Sequence, residues 1–96
     1  MPTSISVQVE FNATIQKIFG EKSTQVTQTS PLTVKRLLKV VCASRERHEK
    51  IFNGSGELRS DITIFINGRN IVFLDGLDTE LNNGDKIAIF PPVTGG

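Results

Sequence analysis

The sequence predicts a single α+β domain in which one long helix covers one face of a mixed sheet. Three observations predict it. Segments near both ends alternate apolar and polar residues, the period of a half-buried strand. One central stretch carries apolar residues at helical spacing. Asn-Gly and Pro-Pro pairs punctuate the chain where strands would turn or stop. The 96 residues suffice for one domain with one modest core.

Ser4 to Phe11 sets Ile5, Val7, Val9 and Phe11 against Ser6, Gln8 and Glu10, and reads as the first strand. Ala13 to Phe19 places Ile15, Ile18 and Phe19 at helical spacing before Gly20, which predicts a short helical turn. Lys22 to Thr29 is polar and Thr-rich around Val26 and suits an edge strand. After Pro31, one helix is predicted from Thr33 to Arg47, capped by Thr33, with Val34, Leu37, Leu38 and Val41 on one apolar face. Arg45, Arg47 and His48 then complement the negative end of its dipole. Asn53-Gly54-Ser55-Gly56 marks a loop.

Ile62, Ile64 and Ile66 alternate with Thr63 and Phe65 in a further strand. Asn67-Gly68 is a hairpin turn, and Asn70 to Leu74 is the predicted return strand. Gly76 to Gly84 is too short and polar for a second long helix. Lys86 to Phe90 is the last strand, ended by Pro91-Pro92, since proline lacks the ladder N–H. This order matches the β-grasp, or ubiquitin-like, fold, in which the final strand is central. Residues 1–90 form the domain and residues 91–96 an extended tail.

Composition removes several function classes. Eleven Lys and Arg against ten Asp and Glu, with no long basic run, give no sign of nucleic-acid binding. No apolar run approaches a membrane span, and Met1-Pro2-Thr3-Ser4 lacks the features of a signal peptide, so a cytoplasmic domain is expected. The single cysteine, Cys42, lies beside the apolar stripe and reads as a small buried hydrophobe. One histidine, His48, makes neither a zinc site nor a triad, and no acid pair is placed for general acid–base work. The chain has no Walker phosphate cradle. It is therefore expected to be a protein substrate rather than an enzyme, with no metal and no permanently bound cofactor.

The strongest functional signal is the run Phe90-Pro91-Pro92-Val93-Thr94-Gly95-Gly96. Glycine has no Cβ, so a Gly-Gly tail passes a narrow channel and leaves its carboxylate uncrowded. A second signal comes from strand parity. Phe65 and Phe90 point away from Ile62, Ile64, Ile66, Ile87 and Ile89; if the isoleucines face the helix, two phenylalanines lie outside. Exposed apolar clusters of this kind mark partner sites. Phe11 and Ile71 either join the patch or complete the core at its edges.

The terminal run resembles the carboxy terminus of the small, sulfur-carrying subunit of molybdopterin synthase, MoaD. Asn83 to Ile89 resembles the strand leading into it, and weaker similarity covers nearly the whole chain. Archaeal small ubiquitin-like modifiers are similar to the same family. The thiazole-pathway carrier of the ThiS type also ends in Gly-Gly, but Phe-Pro-Pro-Val-Thr fits that group less well. Extra residues at 53–60 and 75–80 depart from the shortest members.

The resemblance implies that a ubiquitin-activating-type adenylating enzyme uses ATP to activate Gly96. Sulfur transfer then gives a thiocarboxylate. In the molybdopterin branch the tail enters the large synthase subunit; in the modifier branch target-protein lysines attack Gly96. Gly95 and Gly96 carry over in both branches, with Pro91, Pro92, Val93 and Thr94 as the tail. Phe11, Ile71 and Phe90 carry over as partner contacts.

Overall fold

The computed structural model describes residues 3–91. Five strands form the main sheet: β1 (Ser4–Phe11), β2 (Ser23–Thr29), β4 (Thr63–Ile66), β5 (Arg69–Asn70) and β7 (Lys86–Phe90). Their spatial order is β2-β1-β7-β4-β5. β7 runs parallel to β1 and antiparallel to β4, and the other two pairings are antiparallel. The final strand is thus central, as a β-grasp sheet requires.

Alternation along the strands builds the core. Ile5, Val7, Val9 and Phe11 of β1, Ile64 and Ile66 of β4, and Ile87 and Ile89 of β7 all turn to one buried side. Against them pack Val34, Leu37, Leu38 and Val41 of helix α2 (Val34–Val41). Thr33 caps α2, its hydroxyl accepting from the Arg36 N–H at 3.2 Å. A short helix, α1 (Ile15–Phe19), adds Ile15 and Phe19, and the Phe19 ring stacks on Phe11 with centroids 4.3 Å apart.

The single helix expected from Thr33 to Arg47 is two helices. α2 ends at Val41, and α3 runs Arg45–Ile51. Cys42 leaves helical geometry, with φ −90° and ψ 58°. Ser44 then caps α3 by accepting from the Arg47 N–H at 3.2 Å. The exposed carbonyl at the end of α2 is not abandoned: Arg47 donates to the Val41 carbonyl at 3.4 Å and to the Phe19 carbonyl at 3.0 Å. Its guanidinium also lies 5.0 Å from the centroid of the Phe19 ring. Arg45 and Arg47 therefore begin a helix rather than end one. The break redirects the chain so that Ile51, fully buried, and Phe52 close the core.

The return strand is also shorter than expected. After Asn70 the chain forms a 3₁₀ turn over Ile71–Phe73, started by the Asn70 side chain accepting from the Val72 N–H at 3.0 Å. Asn competes for nearby backbone donors in this way and ends the ladder early. Beyond a second 3₁₀ turn at Gly76–Asp78, β6 (Glu80–Leu81) pairs with β3 (Leu32–Thr33) at the start of α2. The Val34 N–H donates to the Thr79 carbonyl at 3.0 Å.

The hairpin at Asn67-Gly68 has φ 51° and 86°, the left-handed pair that a two-residue hairpin demands. Asn67 also ties the turn to β7: its side chain accepts from the Lys86 N–H at 3.0 Å and donates to Asp85 at 2.9 Å.

Two substitutions test this account by urea denaturation. Ile87→Ala removes a fully buried side chain from the central strand and should cost about 2–5 kcal/mol. Ser44→Ala should cost about 1 kcal/mol through the lost cap. A negligible effect of Ser44→Ala would mean that the break after α2 is held without the cap.

Candidate functional site

The outer face of the sheet carries the expected aromatic pair. Phe65 and Phe90 meet edge-on across β4 and β7, with centroids 5.5 Å apart and an interplanar angle of 86°. Alternation puts them there, because their neighbours Ile64, Ile66, Ile87 and Ile89 take the buried side. Phe65, Phe90 and Ala88 floor a shallow apolar hollow completed by Glu10, Gly68 and Lys86. Lys86 Nζ lies 3.1 Å from Glu10 Oε2, so an exposed ion pair edges the patch. At this exposure the pair contributes little stability; its effect is to place both charges beside an apolar surface.

Phe11 and Ile71 are not on this face. Phe11 is 2% exposed and Ile71 3%. Phe11 is the last inward residue of β1 and lies against Phe19. Ile71 opens the 3₁₀ turn and points inward because the ladder has already ended at Asn70. Both complete the core at its edges and are unavailable as surface contacts.

Pro91 is the last described residue. It borders a small hollow with Ile15, Ile18 and Ile62, and with the basic side chains of Lys50 and Arg59. Arg59 donates twice to Asp61, at 3.1 and 2.9 Å. Those bonds hold the Asp61 carboxyl below its ordinary range. Pro92, Val93, Thr94, Gly95 and Gly96, the expected tail, lie outside the described residues.

Cys42 is buried, and burial pushes its thiol up to about 12, only partly opposed by Arg47. A thiol so poised is packing rather than a nucleophile. His48 stacks on Phe52, with centroids 4.7 Å apart. Among the described residues no three His, Cys, Asp or Glu side chains cluster to hold a metal, and no helix is long and apolar enough to cross a membrane.

The ThiS family model matches residues 9–96. The chain belongs to the ThiS family. The match runs through Phe90 to Thr94, so the poorer fit expected of that run to a ThiS-type carrier does not set the chain outside the family. Small archaeal modifier protein 3 of Haloferax volcanii is 32% identical over 92 residues, covering 96% of this chain and all of that protein. A candidate sulfur carrier protein of Archaeoglobus fulgidus is 42% identical over 66 residues, 68% of this chain and 75% of that protein. The crystal structure of small archaeal modifier protein 1 from Haloferax volcanii superposes with a TM-score of 0.83 at 28% identity, covering 95% of this chain and 99% of that one. The chain is thus a member of the small ubiquitin-like carriers and modifiers, with the β-grasp fold its topology shows.

Sequence reasoning missed one surface feature. Phe73 is 84% exposed and Val72 76%, the most exposed large apolar side chains among the described residues. Reading Asn70 to Leu74 as a strand hid them, since alternation would have turned one of the two inward. The signal for finding them was Asn70, a residue that starts turns.

Two measurements follow from this geometry. Phe90→Ser should lower stability by at most about 1–1.5 kcal/mol, while Phe11→Ser should cost several times that; equal losses would put Phe90 in the core. The Cys42 thiol should resist a thiol reagent at pH 8 in the native protein and react once the chain is denatured. Its folded value, about 12, stands above the ordinary thiol value of 9.0. Its contribution to stability is therefore complete below pH 9 and is lost as pH rises from there toward 12.

Proposed function

We propose that the chain is a sulfur carrier whose Gly96 carboxylate is the working group, serving molybdopterin synthesis. The observation that carries the reading is the family match running through Gly95 and Gly96, joined to a central strand that ends directly before the tail.

A carboxylate is a poor electrophile, because attack disrupts a delocalised anion. The chain offers no phosphate cradle of its own. Activation falls to a ubiquitin-activating-type enzyme using ATP. A Gly96 carboxylate oxygen attacks the α-phosphorus of ATP, the bond to the β-phosphate oxygen breaks, and pyrophosphate leaves. A hydrosulfide equivalent then adds to the acyl adenylate and expels AMP, leaving a thiocarboxylate. The tail enters the large subunit of molybdopterin synthase, where that sulfur passes to the pterin precursor. The domain's part is presentation: a rigid central strand fixes the tail root, Pro91 favours an extended exit, and Phe65 and Phe90 give partners an apolar foothold.

A second reading is a protein modifier, favoured by the 32% identity to small archaeal modifier protein 3 over 96% of this chain. There a target lysine amine attacks the adenylate in place of sulfur, AMP leaves, and an isopeptide bond forms at Gly96. Both readings share the first step.

ATP–pyrophosphate exchange with the cognate adenylating enzyme tests that shared step. Exchange should depend on the wild-type chain. It should vanish when Gly96 is deleted, with the melting temperature unchanged. Exchange that persists without Gly96 overturns both readings. After tryptic cleavage at Lys86, the last basic residue before the tail, residues 87–96 left on host lysines, and absent in the Gly96-deleted strain, would select the modifier over the dedicated carrier.

A further inference from the structure

The exposed Val72–Phe73 pair has no role in the core or in the outer-face patch. Solvent-facing Phe is common in mobile loops, but this one sits on a built turn. The Asn70 side chain accepts from the Val72 N–H at 3.0 Å, and the Leu74 N–H donates to the Ile71 carbonyl at 2.9 Å. Buried Ile71 anchors one side, and half-buried Leu74 packs against the core on the other. The turn thus holds two apolar side chains outward at fixed positions, so little ordering is needed when they are covered.

Its place in the sheet identifies what would cover it. Thr63 is paired with Phe90, so the start of β4 lies at the tail root. Phe65 is paired with Asn70, so the chain beyond Asn70 runs toward that same end. Val72 shares a groove with Thr63 and Ile64. The knob and the tail root therefore sit at one end of the molecule. A protein that draws the tail into its active site must cover that end.

We propose that Val72 and Phe73 form a second anchor for the adenylating enzyme, entering an apolar pocket while the tail occupies the active site. The proposal rests on the reading that Gly96 is adenylated. It assigns the knob to binding and not to chemistry. An anchor used equally before and during reaction changes KM and leaves kcat alone.

The test compares wild type and V72S/F73S in binding and pyrophosphate exchange with the purified adenylating enzyme. The double variant V72S/F73S should bind about tenfold or more weakly, with KM raised to match, kcat retained and the melting temperature unchanged. Unchanged Kd and KM for V72S/F73S, with wild type active, would overturn the anchor and leave the functional reading standing. A fall in kcat alone would also overturn it, since the pair would then act on the chemistry. Absence of exchange with wild type itself would overturn the functional reading, and the anchor with it.

Discussion

The placement of β7 is the constraint on which the rest depends. A tail that is to reach another protein's active site needs a root that does not move, and a strand paired on both edges provides one. β7 is held by β1 on one side and β4 on the other, with Ile87 and Ile89 fully buried beneath it. Loss of either ladder would leave the root as an edge strand, free to fray. The Asn12 side chain adds a bond to the Ile89 carbonyl at 3.2 Å, close to where the strand ends. Because alternation along β7 is strict, the same residues that lock the strand inward fix Phe90 outward. Core packing and the exposed aromatic face are two sides of one five-residue segment.

The helical layer shows how a short chain covers such a sheet. An unbroken helix from Thr33 to Arg47 would carry Ile51 and Phe52 past the core. Ending α2 at Val41 and restarting at Ser44 brings both back against it. A break inside a helix exposes carbonyls that need donors, and Arg47 supplies them from the new helix while covering Phe19. Arg47 is accordingly a structural residue, although its sequence neighbours Arg45 and Glu46 are plain surface charges.

Much of this was legible in the sequence because periodicity reports burial directly. The alternation in β1, β4 and β7, the apolar stripe of α2 and the Asn67-Gly68 turn each follow from local residue order, and the central final strand follows from the order of elements. Features that depend on side chains capping backbone were not legible by periodicity. Ser44 divides the helix, and Asn70 stops the hairpin after two residues; both act through single hydrogen bonds. Phe11 and Ile71 illustrate a further limit. Parity assigns a face but not whether that face is covered at its margin, and α1 and the 3₁₀ turn cover both. Gly95 and Gly96 stood out from composition and position, while Val72 and Phe73 were hidden inside a strand that ends sooner than expected.

The central claim is that this domain presents Gly96 for activation. Intact-mass spectrometry after incubation with ATP, a sulfur donor and the cognate adenylating enzyme tests it most directly. The account predicts a mass gain equal to exchange of one oxygen for sulfur, localised to Gly96 by fragmentation. An unchanged mass, with an enzyme shown to be active on a known carrier, would contradict it.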